Sequence, residues 1–432
     1  MTLLDKPRRA GRVRATVFLS YAAFMFVGVT SGTGGVLLVA QMSDYGVDRA
    51  TIGITFFTGS AGFVLAGLSS GALIARFGIR VALMTGGAAY ALAGLCLAAR
   101  PPFALFVAVQ LATGYGLGIL ESVLNTHLAA LPGATMLLNR LHAFWGVGSL
   151  IGPVLAAWIT GFASWRIVLL ILAAASVPLI ASFMAFPGPA PRGRAPDPLP
   201  ASVPEAAGAE AGEAVAASGS RGSPRSPRSP GRNLLSAALR DPGVLGGAVM
   251  LAVYVGLEIG VGSWAYSYLV QGRGLGGTIA GYAVSGYWLG LTAGRFLISP
   301  LAARAGLTTS RMMYACLTGI TAAATLAWLA PDAAAASAAL VVLGFFLGPV
   351  FPTTMAITPR LTTPELVPTA IGVMNAGSVI GGSALPWLAG VITQDTGIWT
   401  LLPFALALAL LQFAAWRPLA ARIRSAPEPL NR

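Results

Sequence analysis

Long apolar runs follow one another along this chain and are parted by short polar stretches. A helix needs about 20 mainly apolar residues to cross the hydrocarbon core of a bilayer. Twelve runs reach that length, at 15–41, 50–75, 80–99, 103–131, 136–160, 165–186, 243–270, 276–302, 311–330, 334–358, 365–393 and 397–416. The pattern predicts an all-α integral membrane protein with twelve transmembrane helices. Six runs precede a polar segment at 187–240 and six follow it. The expected organisation is an N-terminal tail (1–14), a first six-helix bundle (15–186), a linker (187–240), a second six-helix bundle (241–417) and a C-terminal tail (418–432).

The linker differs in kind from its flanks. It contains PGPAPRGRAPDPLP and SGSRGSPRSPRSPGR. Such a composition cannot bury enough apolar surface to order itself, so the segment reads as a disordered spacer. Residues 233–240 are the exception and suit a short interfacial helix. At the other end, the basic stretch MTLLDKPRRAGRVR leads into a run longer than a signal-peptide core of about 7–15 residues. A retained first transmembrane helix is therefore expected.

Composition and charge sharpen this picture. Of 432 residues, 56% are hydrophobic and only 9% charged, against about 25% charged in soluble domains. The solvent of most of the surface must be lipid. The net charge of +13 invites a nucleic-acid reading, but the placement of the charges excludes it. With the N-terminus inside, 22 of the 27 Lys and Arg residues fall in inner segments and four in outer loops. That asymmetry sets orientation and predicts a multi-pass protein of the cytoplasmic membrane with both termini cytoplasmic. The lipid bilayer is its expected partner; nucleic acid is not. Cys96 and Cys316 each lie inside an apolar run, so neither a disulfide framework nor a zinc site is expected. There is no phosphate-binding loop, nucleophile–base arrangement or metal-ligand cluster in the sequence. No enzyme activity, cofactor or metal is expected, and the chain is expected to act as a monomer. A membrane sensor is the remaining class, but no soluble signalling domain is visible.

The two halves repeat each other. At a displacement of 228, Gly28, Gly32 and Gly53 fall on Gly256, Gly260 and Gly281, and Leu73-x-x-Arg76-x-Gly78 falls on Leu301-x-x-Arg304-x-Gly306. At 230, Gly114 and Gly118 fall on Gly344 and Gly348; at 229, Gly148 and Gly152 fall on Gly377 and Gly381. These small residues at i, i+4 permit close helix approach. Six-helix repeats with a long central loop suit a transporter whose halves rock around a midplane site.

The ionisable groups do not repeat. Glu121 and Glu258 are the acids deep inside apolar runs, and both histidines, His127 and His142, lie in 114–153. Glu121 and Asn125 are four apart and share a helix face. On the next helix Asn139, His142, Trp145 and Ser149 form a second polar stripe. Counted outward from Pro132-Gly133, Asn125 matches His142 in depth and Glu121 matches Trp145. One polar cluster on two adjacent helices is therefore expected. A buried acid costs several kcal/mol to keep ionised, so it can take and release a proton as a cavity opens to each side. Glu121, Glu258 and His142 are the candidate proton-coupling residues. Asn125, Trp145, Trp264, Tyr268 and Asn375 are candidate solute contacts; Trp264 and Tyr268 are four apart, and aromatic faces suit a sugar. His127 reads as structural. Arg295 needs either a partner, Glu258 or Glu121, or a route to the inner interface; snorkelling is the favoured expectation.

Gly71-Ala-Leu-Ile-Ala-Arg76-Phe-Gly78-Ile-Arg80 resembles the signature between spans two and three of the major facilitator superfamily, with Ala75 where that family usually has Asp. The resemblance covers all but the linker and tails, and implies that Gly71, Arg76, Gly78 and Arg80 form a gating loop. Gly116-Leu-Gly-Ile-Leu-Glu121-Ser-Val-Leu-Asn125, Leu138-Asn139-x-x-His142-x-Phe144 and Gly348-Pro-Val-Phe-Pro352 are similar to the fucose:proton symporter-type sugar permeases. That likeness implies proton coupling at Glu121 and a small-molecule solute of sugar type, carried with protons. The branch's other coupling acid has no counterpart in Thr30-Ser-Gly-Thr-Gly-Gly35. Gly148-Ser-Leu-Ile-Gly152-Pro153 is instead similar to an element of proton-coupled drug antiporters, so export stands beside uptake.

Overall fold

The computed structural model describes residues 5–186 and 234–425. Among the described residues the chain is helical, without strands. Before the polar segment run α1 (Asp5–Tyr45), the short α2 (Arg49–Ile52), α3 (Ile54–Ala98), α4 (Phe103–Ala129), α5 (Ala134–Thr160) and α6 (Trp165–Ser182). After it come α7 (Leu234–Ala238), α8 (Pro242–Ser267), α9 (Gly277–Arg304), α10 (Thr309–Leu329), α11 (Ala333–Leu347), α12 (Val350–Ala356), α13 (Thr358–Leu361), α14 (Val367–Thr396) and α15 (Leu401–Ser425). The stretch expected to be a disordered spacer, with its SPRSPRSP tract, lies outside the described residues.

Ten helical stretches are long and apolar enough to span a membrane. One of them, 49–98, is 50 residues long and bends at Gly78, whose φ of 81° and ψ of 166° are non-helical. Counting its two arms separately and adding α9, which carries Arg295, gives twelve spans. The helices overrun the apolar runs at both ends of the chain. α1 begins at Asp5 rather than near 15, and α15 continues to Ser425. Both extensions run through residues that disfavour helix, Pro7 and Gly11 in α1 and Pro418 in α15.

Loop chemistry sets several helix starts. Asp48, Thr308 and Asp332 each cap the following helix by accepting from the backbone N–H three residues on, which satisfies an otherwise orphaned donor. Gly306 (φ 66°) ends α9 in a Schellman motif, with Leu307 N–H donating to Ala302 O and Gly306 N–H to Ala303 O. The Arg76-x-Gly78 and Arg304-x-Gly306 repeat therefore places a positive-φ glycine in both halves.

The chain divides into two compact units: Met1–Ala206 with Ala265–Leu289, and Ala207–Trp264 with Gly290–Arg432. In the first, α3 packs along α4 and α1 along α5. A Cβ at Gly148 would collide with the Met25 carbonyl, and one at Gly62 with the Leu111 carbonyl. Phe24, Leu83, Ile119, Leu120, Val123 and Phe183 form its buried core. In the second, Gly290 meets the Val341 carbonyl. That contact sits 228 and 230 residues after Gly62 and Leu111, the same displacements that relate the glycines in sequence. Gly377 and Gly381 meet Ala248 and Ala252 of α8.

Candidate functional site

In the second unit, three close approaches press α9 onto α11. Gly290 faces the Val341 carbonyl, Gly294 the Phe345 carbonyl, and a Cβ at Gly348 would sit against the backbone N of Arg295. Directly after that point Pro349, which has no N–H to continue the ladder, separates α11 from α12. The Arg295 side chain reaches α8, and its Nη2 donates to Glu258 Oε1 at 3.0 Å. Their side chains are 16% and 7% exposed, so the two charges sit together largely shielded from bulk water. The favoured expectation for Arg295, snorkelling to the inner interface, is corrected here. Nine residues separate it from Arg304 at the helix end, about 14 Å at 1.5 Å per residue, and Glu258 offers a nearer counter-charge. Removing one partner of such a pair leaves an uncompensated charge, at about 3–5 kcal/mol.

Two neighbours fix α8 around Glu258. Tyr254, one turn before it, packs on Phe351 with ring centroids 6.0 Å apart. Trp264 is fully buried, and its Nε1–H donates to the Pro386 carbonyl of α14 at 2.8 Å. Its polar group is thus used inside the protein. Tyr268 opens a π-helical turn, Tyr268–Gly272. It is buried, and its hydroxyl accepts from Arg273 Nε at 2.7 Å. Asn375 is half-buried on α14, where its Oδ1 and backbone O accept from Ser378 Oγ.

In the first unit, Glu121 is half-buried on α4 and Asn125 lies one turn further on, 3% exposed. The Asn125 Oδ1 is buried and accepts no hydrogen bond, a condition that costs about 1–3 kcal/mol. His142 stands edge-on to Phe24 of α1, with centroids 5.4 Å apart and planes at 85°. Trp145 stands edge-on to Trp288, at 6.0 Å and 86°. α5 thus sets His142 against α1 and Trp145 against residue 288. His127 Nε2 lies 3.2 Å from Thr16 Oγ1, and its ring packs on Phe186, which is the structural role read for it.

At the bend between the second and third spans, Arg76 is exposed and its guanidinium lies 5.2 Å from the Phe77 ring. Arg80 Nε donates to the Phe186 carbonyl at 3.0 Å, tying the loop to the chain just after α6. Gly71 lies within the first arm of α3. Ala75, in place of the usual acid, is exposed.

The sequence reading missed one polar cluster. Asp241 accepts from the Gly243 N–H (2.7 Å), Thr362 Oγ1 (2.7 Å) and Arg422 Nη1 (3.1 Å). Burial alone would raise its carboxyl; the bonds from Thr362, Gly243 and Arg422 outweigh this and hold it below the ordinary value. Arg422 therefore joins the ends of α15 and α13 to the start of α8 instead of lying in a free tail. An acid immediately before the helix-opening Pro242 was the available signal.

A family model described as Major Facilitator Superfamily matches residues 17–337 and 265–432. The chain belongs to that superfamily. The E. coli fucose:proton symporter has a similar solved structure, with TM-score 0.58 and 16% identity, over 96% of this chain and 99% of that one. So has a bacterial homologue of the human lysosomal transporter Spinster in its inward-facing, unoccupied form, with TM-score 0.69 and 12% identity, over 98% and 99%. At these identities the likeness is one of fold: twelve helices as two six-helix repeats. A curated relative, Bypass of stop codon protein 6 of Saccharomyces cerevisiae, is 27% identical over 328 residues, 70% of this chain. The chain spans 62% of that relative's length. As a superfamily member with these apolar spans, it is a multi-pass membrane protein.

Proposed function

We propose that the protein is a secondary active transporter that moves a small polar solute across the cytoplasmic membrane by alternating access, coupled to protons. The observation that carries this reading is the buried Glu258–Arg295 pair in the spanning helices of a superfamily member. Ionisable groups at such depth are rare and mark ion or proton pathways. In this reading, a proton arriving from one side neutralises Glu258 and frees Arg295 from it. Loss of the proton to the other side restores the pair. Glu121 is the second carboxylate, on α4. Asn125, with its unused Oδ1, accepts from a solute hydroxyl or amide.

The solute class we infer is sugar-like. The fold neighbour named as a fucose:proton symporter supports it, as does an acceptor that only an incoming donor can satisfy. Trp145, Tyr268 and Asn375 complete the proposed contacts. We assign Trp264 to positioning α8, because its N–H is bonded to Pro386. The two repeats, 15–186 and 241–417, rock during transport, residues 265–289 of the second going with the first unit, with both termini cytoplasmic and Gly71, Arg76, Gly78 and Arg80 as the inner hinge loop. The protein works as a monomer.

A thermal-shift panel of sugars, amino acids and hydrophobic drugs tests the solute class. The sugars are expected to stabilise the purified protein. Stabilisation by drugs alone would replace this reading with export.

A further inference from the structure

A groove of about 490 Å³ opens along the first unit between α5 and the 282–289 segment of α9. Leu150, Ile151, Val154, Leu155 and Leu289 form its walls. Ile151 and Leu289 are exposed, as are Trp158 and Tyr282 at its edge. All lie within the predicted spans at 136–160 and 276–302, which places the groove at the depth of the bilayer hydrocarbon. Its volume falls in the range of ligand pockets, about 300–1,000 Å³.

One polar side chain is set into this apolar surface. Ser285 is 4% exposed, and its Oγ has no hydrogen-bond partner. Ser20, Ser176 and Ser383, buried in the spanning helices, donate to the carbonyls of Thr16, Ala173 and Val379, three or four residues upstream; Ser149 and Ser267 are unsatisfied like Ser285 but do not line the groove. Ser285 does not make that bond. In lipid, such a hydroxyl is left unsatisfied unless a ligand supplies the partner. No Asp, Glu, Lys or Arg lines the groove, so a formal charge inside it would find no counter-ion.

We infer that this groove binds a neutral single-chain amphiphile from the bilayer, its hydroxyl or amide bonded to Ser285 and its chain laid along Leu150, Val154 and Leu155. The site is separate from Glu121 and Glu258 and does not depend on which solute crosses the membrane.

The test uses the full chain in phosphatidylcholine nanodiscs with 11-bromo-1-undecanol as probe. Bromine quenches tryptophan, and the Trp158 contribution is the difference between wild type and Trp158→Phe. The control, 1-bromoundecane, partitions into the bilayer but lacks the hydroxyl. The alcohol is expected to quench Trp158 saturably. Ser285→Ala should move the half-saturation point up about threefold to tenfold, the size of one hydrogen bond. Val154→Phe, which fills the groove, should abolish the saturable part. An unmoved half-saturation in Ser285→Ala, or saturable quenching by the bromoalkane at the same mole fraction, overturns the inference.

Discussion

Arg295 Nη2 sits 3.0 Å from Glu258 Oε1, inside two helices that otherwise carry almost no charge. Each charge is tolerated there because of the other. Glu258→Gln or Arg295→Met alone should therefore destabilise the protein by about 3–5 kcal/mol. The double variant should recover most of that loss, since no lone charge remains buried. Denaturant unfolding in detergent measures all three. Simple additivity of the two single losses would show that the residues act independently.

Gly348 holds the backbone of α11 against that of α9 at Arg295. Gly348→Ala adds a Cβ where backbone already stands. The expected cost is about 1–3 kcal/mol, typical of overpacking, together with a shift of Arg295 off Glu258. Denaturant unfolding reads the first effect; the non-additivity of Gly348→Ala with Glu258→Gln reads the second.

Asn125 trades stability for binding in this account. Replacing a buried, unsatisfied amide by an apolar group of similar shape removes its desolvation penalty. Asn125→Leu should raise the melting temperature of the protein while weakening solute binding at least tenfold. A variant that loses stability and keeps solute affinity would place the amide in a structural role.

Asp241 lies outside the spans, so its titration is read against water. Its folded value lies below the unfolded one of about 3.9. The stabilisation is complete above that unfolded value and is lost as pH falls through the folded one. Arg422 is 41% exposed, so screening keeps the effect small, about 1 kcal/mol or less. Asp241→Asn should be less stable than wild type at pH 7, and the difference should shrink below about pH 4. A gap that is constant with pH would assign the loss to the hydrogen bonds alone.

Much of this fold was legible in the sequence because hydropathy and small-residue spacing are one-dimensional signals. The twelve apolar runs became twelve spans. The glycines that repeat at 228–230 residues became matched backbone contacts, Gly62 with Leu111 and Gly290 with Val341. Gly78 and Gly306 carry positive φ at equivalent bends. Azimuth was not legible. Counting from Pro132-Gly133 gives the depth of His142 and Trp145, but the direction each faces depends on α5 lying along α1. Arg295 was misjudged for the same reason. Its distance from Ala302 suggested snorkelling, whereas in the fold its side chain reaches Glu258 of α8. Arg422 entered the sequence reading only as one positive charge for orientation and Asp241 not at all; only the tertiary fold brings their helix ends together.

Proton movement during solute uptake tests the central claim most directly. In proteoliposomes with an inward proton gradient, adding the solute found by thermal shift should alkalinise the outside. Glu121→Gln and Glu258→Gln should each abolish that signal and concentrative uptake while leaving exchange of solute across the membrane intact. Full concentrative uptake in both variants would contradict coupling through these carboxylates.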